Sequence, residues 1–329
     1  MVPARTLKGI SAKARQRACL LLLACMAAVA VVGCQREAGA PEPARSAAER
    51  AAQAHFDRQA QAWRAQRRED LLAPEGWTSL VGLHWIEPGP HYVGSAPGNG
   101  IRIALGPAEF GMLALEKDGR VRLVPAKGAG LERDGAALTG PVVLRTDQDE
   151  GGPDQVRFDG GKGVATVIRR GDRYALRVRH ADAPTRTGFT RLDYWPADRG
   201  WAVPARYVAN PPGTTLPIAN IVGTVEPVPN PGAVEFERDG RRYRIQALDE
   251  GDGELFLVFA DRSNGHGSYP AGRFLDAGRP DAQGRVMLDF NRSYNPPCAF
   301  TAFATCPLPP AANRLALSIE AGEKAYHAQ

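Results

Sequence analysis

From Trp77 onward the chain is a succession of short apolar runs broken by Asp-Gly pairs and prolines, with no segment of helical periodicity between them. Asp118-Gly119, Asp134-Gly135 and Asp239-Gly240 are hairpin signals, because these residue types tolerate the positive φ that a tight turn between twisted strands requires. Ile101–Leu105 alternates nearby, and further strands are expected at Val121–Val124, Val164–Arg169, Tyr174–Val178, Ala202–Val208, Ile218–Val225, Arg241–Ala247, Leu255–Phe259, Val286–Phe290 and Leu315–Ile319. Parallel strands need long crossovers, usually helices, and none is written here. The expected fold class is therefore mainly β: a β-sandwich followed by a second β region with a Pro/Cys-rich loop, plus one N-terminal helix. His180-Ala181-Asp182-Ala183-Pro184 interrupts the strand pattern, so the first β domain is read over 74–183 and the second over 184–329.

The helix is expected over 46–73. Ser46 with Glu49 three residues on is a capping-box start. Ala52, Phe56, Ala60 and Trp63 fall on one helical face, and Leu71-Leu72 followed by Pro74 closes the segment. A stripe of this kind reads first as a face docked on the domain that follows it, with a helix for a partner protein as the alternative.

The formal charge of +5 comes from the N-terminus. Arg5, Lys8, Lys13, Arg15 and Arg17 precede residue 34 with no acid among them; beyond it, 36 basic residues face 36 acidic ones. A neutral remainder lacks the footprint of a nucleic-acid binder, so no nucleic-acid partner is expected. The uncharged run Ala18–Gly33 would rise about 24 Å as a helix, short of the ~30 Å hydrocarbon core. A basic start, a short apolar stretch and small residues at its end describe a secretory signal over 1–33. Val31-Val32-Gly33-Cys34 resembles the bacterial lipobox, which implies cleavage before Cys34 and lipidation of its thiol. Three acyl chains at ~0.8 kcal/mol per buried methylene anchor a protein durably. Gln35 after the anchor resembles an outer-membrane address. The expectation is an outer-membrane lipoprotein facing the periplasm, its membrane contact made by lipid, with a flexible tether over 34–45.

Trp77-Thr78-Ser79-Leu80-Val81-Gly82-Leu83-His84-Trp85 opens a longer likeness. It continues through Asp261, Tyr269 and Gly272-Arg273-Phe274-Leu275 to Asp289-Phe290-Asn291-Arg292-Ser293-Tyr294-Asn295-Pro296-Pro297-Cys298-Ala299-Phe300. Cys306-Pro307-Leu308-Pro309-Pro310, Asn313-Arg314-Leu315 and Ala321-Gly322-Glu323-Lys324 complete it. The chain resembles the family of domain of unknown function (DUF) 1684 over about residues 60 to 326, and the resemblance implies no activity. Gly89, Val93-Gly94-Ser95, Gly98-Asn99-Gly100 and Ile101–Leu105 also resemble the opening strands of forkhead-associated (FHA) sandwiches. Those domains read phosphothreonine with an Arg where Ser95 stands, and no Ser-x-x-His follows here, so that function is expected to be absent.

No G-x-S-x-G elbow, H-E-x-x-H, P-loop or G-x-G-x-x-G before a helix occurs, and the histidines are scattered. No cofactor and no metal is expected. Cys298 and Cys306 flank a short Pro-rich loop. In an oxidising compartment they read first as a structural disulfide, worth around 2–3 kcal/mol, with a metal or redox pair and free buried thiols as alternatives. Asp289, Asn291, Asn295 and Asn313 gather around the same loop, with Arg273 and Glu323 as ion partners. Such Asx side chains commonly tie down irregular backbone. The functional alternative is a polar pocket floor: Asp289 or Glu323 as base, Arg273 clamping an anion, Asn295 serving an oxyanion, with Asp261, Asn291, Tyr294, Tyr269 and Asn313 around them. His266, alone in a Gly-rich loop, reads as surface, and Trp77, Trp85, Trp195 and Trp201 read as core aromatics before a sugar-binding groove.

Two functions stand on this sequence. One is a binding or structural envelope lipoprotein whose partner is a small molecule or an envelope protein. The other is a hydrolase-like enzyme acting on a small polar or anionic substrate through Asp289, Asn291, Asn295 and Arg273.

Overall fold

The computed structural model describes residues 46–249, 251 and 253–327. The expected leader, the tether and Cys34 lie outside the described residues.

Helix α1 (Ala47–Leu72) starts with the reciprocal bonds its sequence announces. The Ser46 N–H donates to Glu49 Oε2 at 2.6 Å, and the Glu49 N–H donates to Ser46 Oγ at 3.1 Å. Phe56, Ala60 and Trp63 are half-buried, and Trp63 meets Tyr194 edge-on with ring centroids 6.3 Å apart. The docked face is more polar than its apolar stripe suggests. Arg64 lies 4.5 Å above the Tyr194 ring and donates to the Trp195 carbonyl at 3.0 Å.

The first β region runs through β1 (Leu80–Ile86), β2 (Gly89–Gly94), β3 (Ile101–Arg102), β4 (Gly111–Leu115), β5 (Val121–Pro125), β6 (Glu132–Arg133), β7 (Ala136–Ala137), β8 (Val142–Leu144), β9 (Val156–Phe158), β10 (Gly163–Arg170) and β11 (Arg173–His180). A six-stranded sheet ordered β1-β11-β10-β9-β6-β7 faces a five-stranded sheet ordered β3-β2-β4-β5-β8. Between them lies a core that includes Val93, Ile103, Phe110, Leu113, Leu123, Phe158, Val167, Leu176 and Val178. Asp134 and Gly135 at the β6–β7 turn both take positive φ, 54° and 76°, as the Asp-Gly signal requires.

One strand departs from the half-buried pattern of a two-layer sandwich. β10 is buried on both faces: Ala165 and Val167 point into the sandwich core, while Val164, Thr166 and Ile168 are buried on the opposite side. Burial of both faces means that something covers the outside of the six-stranded sheet.

The cover is the second β region. After the single turn α2 (Pro184–Thr187) come β12 (Ala202–Ala209), β13 (Thr215–Ala219), β14 (Val225–Pro229), β15 (Gly232–Arg238), β16 (Arg241–Ala247), β17 (Phe256–Phe259), β18 (Arg273–Asp276) and β19 (Arg285–Asp289). A four-stranded antiparallel sheet, β16-β15-β12-β19, carries a second core around Val234, Phe236, Ile245, Leu257, Phe259, Leu288 and Phe290. The β17–β18 hairpin contributes to that core and also to a third cluster with Ile218, Phe256, Val258, Phe274, Ala304 and Cys306. Contact with the sandwich includes the loop after β19, where Thr305 Oγ1 accepts from both Arg170 and Arg177.

Two expected strands resolve differently. Ile218–Val225 is not one strand but the turn of the β13–β14 hairpin. Asn220 Oδ1 accepts from the N–H groups of Val222 and Thr224, both at 3.1 Å, and Gly223 takes φ of 87°. Leu315–Ile319 is buried at both ends but joins no sheet. The Leu315 N–H donates to the Ala260 carbonyl and the Ile319 N–H to Asp261 Oδ1, so a side chain stands where a ladder carbonyl would. No helix among the described residues is long and apolar enough to cross a membrane.

Candidate functional site

Successive side chains of β11 point to opposite faces of its sheet. Tyr174, Leu176 and Val178 pack on the sandwich core, which leaves Arg177 and Arg179 on the outer face beside Thr166 and Val164 of β10. Their guanidinium groups enter a cavity of about 220 Å³ formed with the second β region. Trp77 and Leu80 complete the sandwich side, and Phe256, Phe274, Tyr294 and Cys306 line the other.

The two arginines of this cavity have few direct protein partners. Arg177 donates to the neutral Thr305 hydroxyl at 3.2 Å, and the Nε of both Arg177 and Arg179 is buried without a hydrogen-bond partner. Neither guanidinium forms a carboxylate ion pair among the described residues. The nearby acids are engaged: Asp147 pairs with Arg170 at 2.7 Å and Glu75 with Arg157 at 2.6 Å. Burial, together with the like charges of Arg170 and Arg179, pulls Arg177 down to about 10. Burial lowers Arg179 as well, with Glu75 opposing it. Both remain cations at neutral pH.

The cavity continues into a second depression through Trp77, Arg179 and Tyr294, which line both. Arg67 of α1 lies there, its guanidinium 4.6 Å above Trp77 and 4.7 Å above Tyr294. A third depression follows through Trp63 and Asp276 and reaches Asp289 and Arg292.

Most of the polar residues expected at a pocket floor serve the backbone instead. Arg273 and Asp261 are fully buried and paired at 2.9 Å. Arg273 also donates to the carbonyls of Ile319 and Ala321, while Asp261 Oδ1 accepts from the N–H groups of Ser263 and Ile319. Asn313 bonds the Gln246 N–H and the Gln246 and Val258 carbonyls. Asn291 clamps both backbone groups of Asp198, and Asp289 caps Asn291 and pairs with Arg292 at 3.3 Å. Asn295 Nδ2 donates to the Lys324 carbonyl, and the Tyr269 hydroxyl donates to the Cys298 carbonyl. The physical reason for these bonds is that irregular backbone without ladder partners must be satisfied by side chains. Of these candidates, Tyr294 lines the cavity and Asp289 the third depression. His266 is exposed on its loop and Trp201 is buried in the second core, whereas Trp77 reaches the cavity wall.

Glu323 is fully buried and joins the helix to the C-terminal segment. It accepts from Arg67 Nε at 2.9 Å and from the Asn295 N–H at 2.7 Å. Burial raises its carboxyl above the ordinary glutamate value, with Arg67 opposing. The folded protein therefore holds this proton more tightly than the unfolded chain does. Its contribution is fully present below the unfolded value of about 4.3 and is lost as pH rises through the raised folded value. Glu323→Gln, which does not titrate, is expected to remove that part of the pH slope in urea midpoints measured from pH 4 to 8.

Cys298 and Cys306 are adjacent free thiols rather than a disulfide among the described residues. The Cys298 N–H donates to Cys306 Sγ at 3.0 Å. Their mutual hydrogen bond lowers the Cys298 thiol and, with burial, pushes the Cys306 thiol up. Iodoacetamide at pH 7 is expected to modify Cys298 before Cys306 in the reduced protein, read by peptide mass mapping. Among the described residues no group of three His, Cys, Asp or Glu is placed to hold a metal.

The wall of the cavity opposite the arginines lies within a stretch that matches a family model. Residues 187–324 match the family Protein of unknown function (DUF1684). The DUF1684 region thus supplies Phe256, Phe274, Tyr294 and Cys306, while Arg177 and Arg179 come from the sandwich before it. The solution NMR structure of the uncharacterized protein from gene locus rrnAC0354 of Haloarcula marismortui is similar at 28% identity. The match covers 42% of this chain and 78% of that one, with a TM-score of 0.36. No curated protein matches the chain.

Arg177, Arg179 and Thr305 were not among the candidates named from sequence. Arg-Val-Arg on a strand reads as a solvent face. The signal that could have found them is the continuous apolar run of β10, whose outer residues need a cover.

Proposed function

We propose that this protein is a lipid-anchored envelope protein that binds a small anionic molecule in the cavity between its sandwich and its DUF1684 region. The observation that carries the reading is the pair of half-buried arginines, Arg177 and Arg179, whose Nε groups are buried and unpartnered and which form no carboxylate ion pair among the described residues. Partly desolvated charge without an ion partner weakens a fold, and its persistence at a cavity wall is accounted for by a ligand that balances it. Binding is favoured over hydrolysis because Asp261, Arg273, Asn291 and Asn313 bond to backbone, and Glu323 is held by Arg67 and the Asn295 N–H. The leader and Cys34 support an outer-membrane anchor facing the periplasm, and in that compartment Cys298 and Cys306 would be joined as a disulfide. The six- and five-stranded sheets around one core support an FHA-type scaffold for the first β region.

The test is thermal unfolding of the mature protein with and without phenyl phosphate. A midpoint that rises with ligand concentration, and fails to rise in Arg177→Gln/Arg179→Gln, supports the reading. An equal rise in both proteins, or no rise with phenyl phosphate and none with phthalate in its place, defeats it. Intact mass of membrane-extracted protein tests the anchor: acyl mass on a chain beginning at Cys34 supports it, and an unprocessed leader refutes it.

A further inference from the structure

We propose that the ligand carries two negative charges on a compact head attached to an apolar or aromatic body, as an aryl phosphomonoester or an aromatic dicarboxylate does. This rests on the anion-binding reading above and specifies its chemistry.

The head follows from a charge and donor count. Arg177 and Arg179 stand on one face of β11 with a single residue between them, roughly 7 Å apart along the strand. Each presents five N–H donors in a planar fork suited to carboxylate or phosphate oxygens. Thr305 accepts one of these bonds from Arg177, and its hydroxyl brings no charge. A monoanion placed on either arginine would leave the other Nε unpaired and its charge uncompensated. A dianion with three or four acceptor oxygens satisfies both forks and balances both charges.

The body follows from the rest of the lining. Leu80, Phe256 and Phe274 offer no hydrogen bond, and Trp77 and Tyr294 add ring surface. A cavity of roughly 150 Å³ lined by such groups takes up benzene. The space of about 220 Å³ here therefore holds a ring together with its head group. Inorganic phosphate would meet the charges and leave this apolar surface uncovered.

Calorimetric titration of the mature protein at pH 7.5 separates the parts of the claim. The probes are phenyl phosphate and phthalate (dianions with a ring), benzoate (a monoanion with the same ring) and inorganic phosphate (a dianion with none). The expected result is that at least one ring-bearing dianion binds ten-fold or more tighter than benzoate and than inorganic phosphate. Phenyl phosphate above phthalate identifies a phosphoryl head; the reverse order identifies a dicarboxylate. Arg177→Gln and Arg179→Gln each bring the preferred dianion to the affinity of benzoate. Benzoate within ten-fold of both ring-bearing dianions overturns the dianion claim and leaves anion binding standing. Inorganic phosphate within ten-fold of both overturns the ring-bearing body. Binding of none of the four, with both variants as folded as the parent by circular dichroism, overturns the anion reading itself.

Discussion

Replacing Asp261 with alanine is expected to cost about 3–5 kcal/mol of stability, because it leaves the Arg273 guanidinium buried without its counter-charge. Arg273 is fully buried, burial already lowers its affinity for its proton, and Asp261 is its ion partner at 2.9 Å. The same carboxylate accepts from the N–H groups of Ser263 and Ile319, so the change also orphans two buried donors. The loss should appear as a lower urea midpoint with an unchanged slope. Asp261→Leu/Arg273→Met removes both charges and should recover a large part of the loss, since a buried pair replaced by apolar groups is often near neutral. An Asp261→Ala variant within 1 kcal/mol of the parent would show that this pair does not hold the C-terminal segment. These residues belong to folding, and any effect of their loss on ligand affinity should scale with stability.

Arg177→Met/Arg179→Leu is expected to act in the opposite sense. It should raise stability by about 1–2 kcal/mol while weakening binding of the preferred anion at least 100-fold. The gain arises because two partly desolvated cations stand side by side on β11, near the like charge of Arg170, with no carboxylate ion pair of their own among the described residues. The replacements also extend an apolar lining that already includes Leu80, Phe256 and Phe274. Thermal midpoints in the absence of ligand, paired with calorimetric affinities, separate the two effects. A variant that lost both stability and binding would assign these arginines to the fold, alongside Arg273. Arg67 is the intermediate case, a helix cation that pairs with buried Glu323 and at the same time covers the rings of Trp77 and Tyr294.

The polar motif from Asp289 to Asn295 shows how far composition can be read. Its density was visible in the sequence, but its task was not. An Asn that ties down a loop and an Asn that lines a pocket are the same residue in the same Pro-rich context. What distinguishes them is the partner, and the partners here are remote: Asn291 meets Asp198, Asn313 meets Gln246 and Val258, and Glu323 meets Arg67.

Local chemistry was determined by the sequence alone. Asp134-Gly135 forms its turn because positive φ is a property of those two residues, and Ser46 with Glu49 closes its capping box within one helical turn. The mainly β class follows from the same short-range rules of period and punctuation. The site was decided only by tertiary structure. Arg177 and Arg179 lie on the outer face of β11, and alternation assigns such a face to water. The region matched by DUF1684 covers it, turning two ordinary surface arginines into half-buried cations with unpartnered Nε groups beside Phe256, Phe274 and Tyr294. Burial depends on which surfaces meet across the fold, and no stretch of β11 records what packs above it.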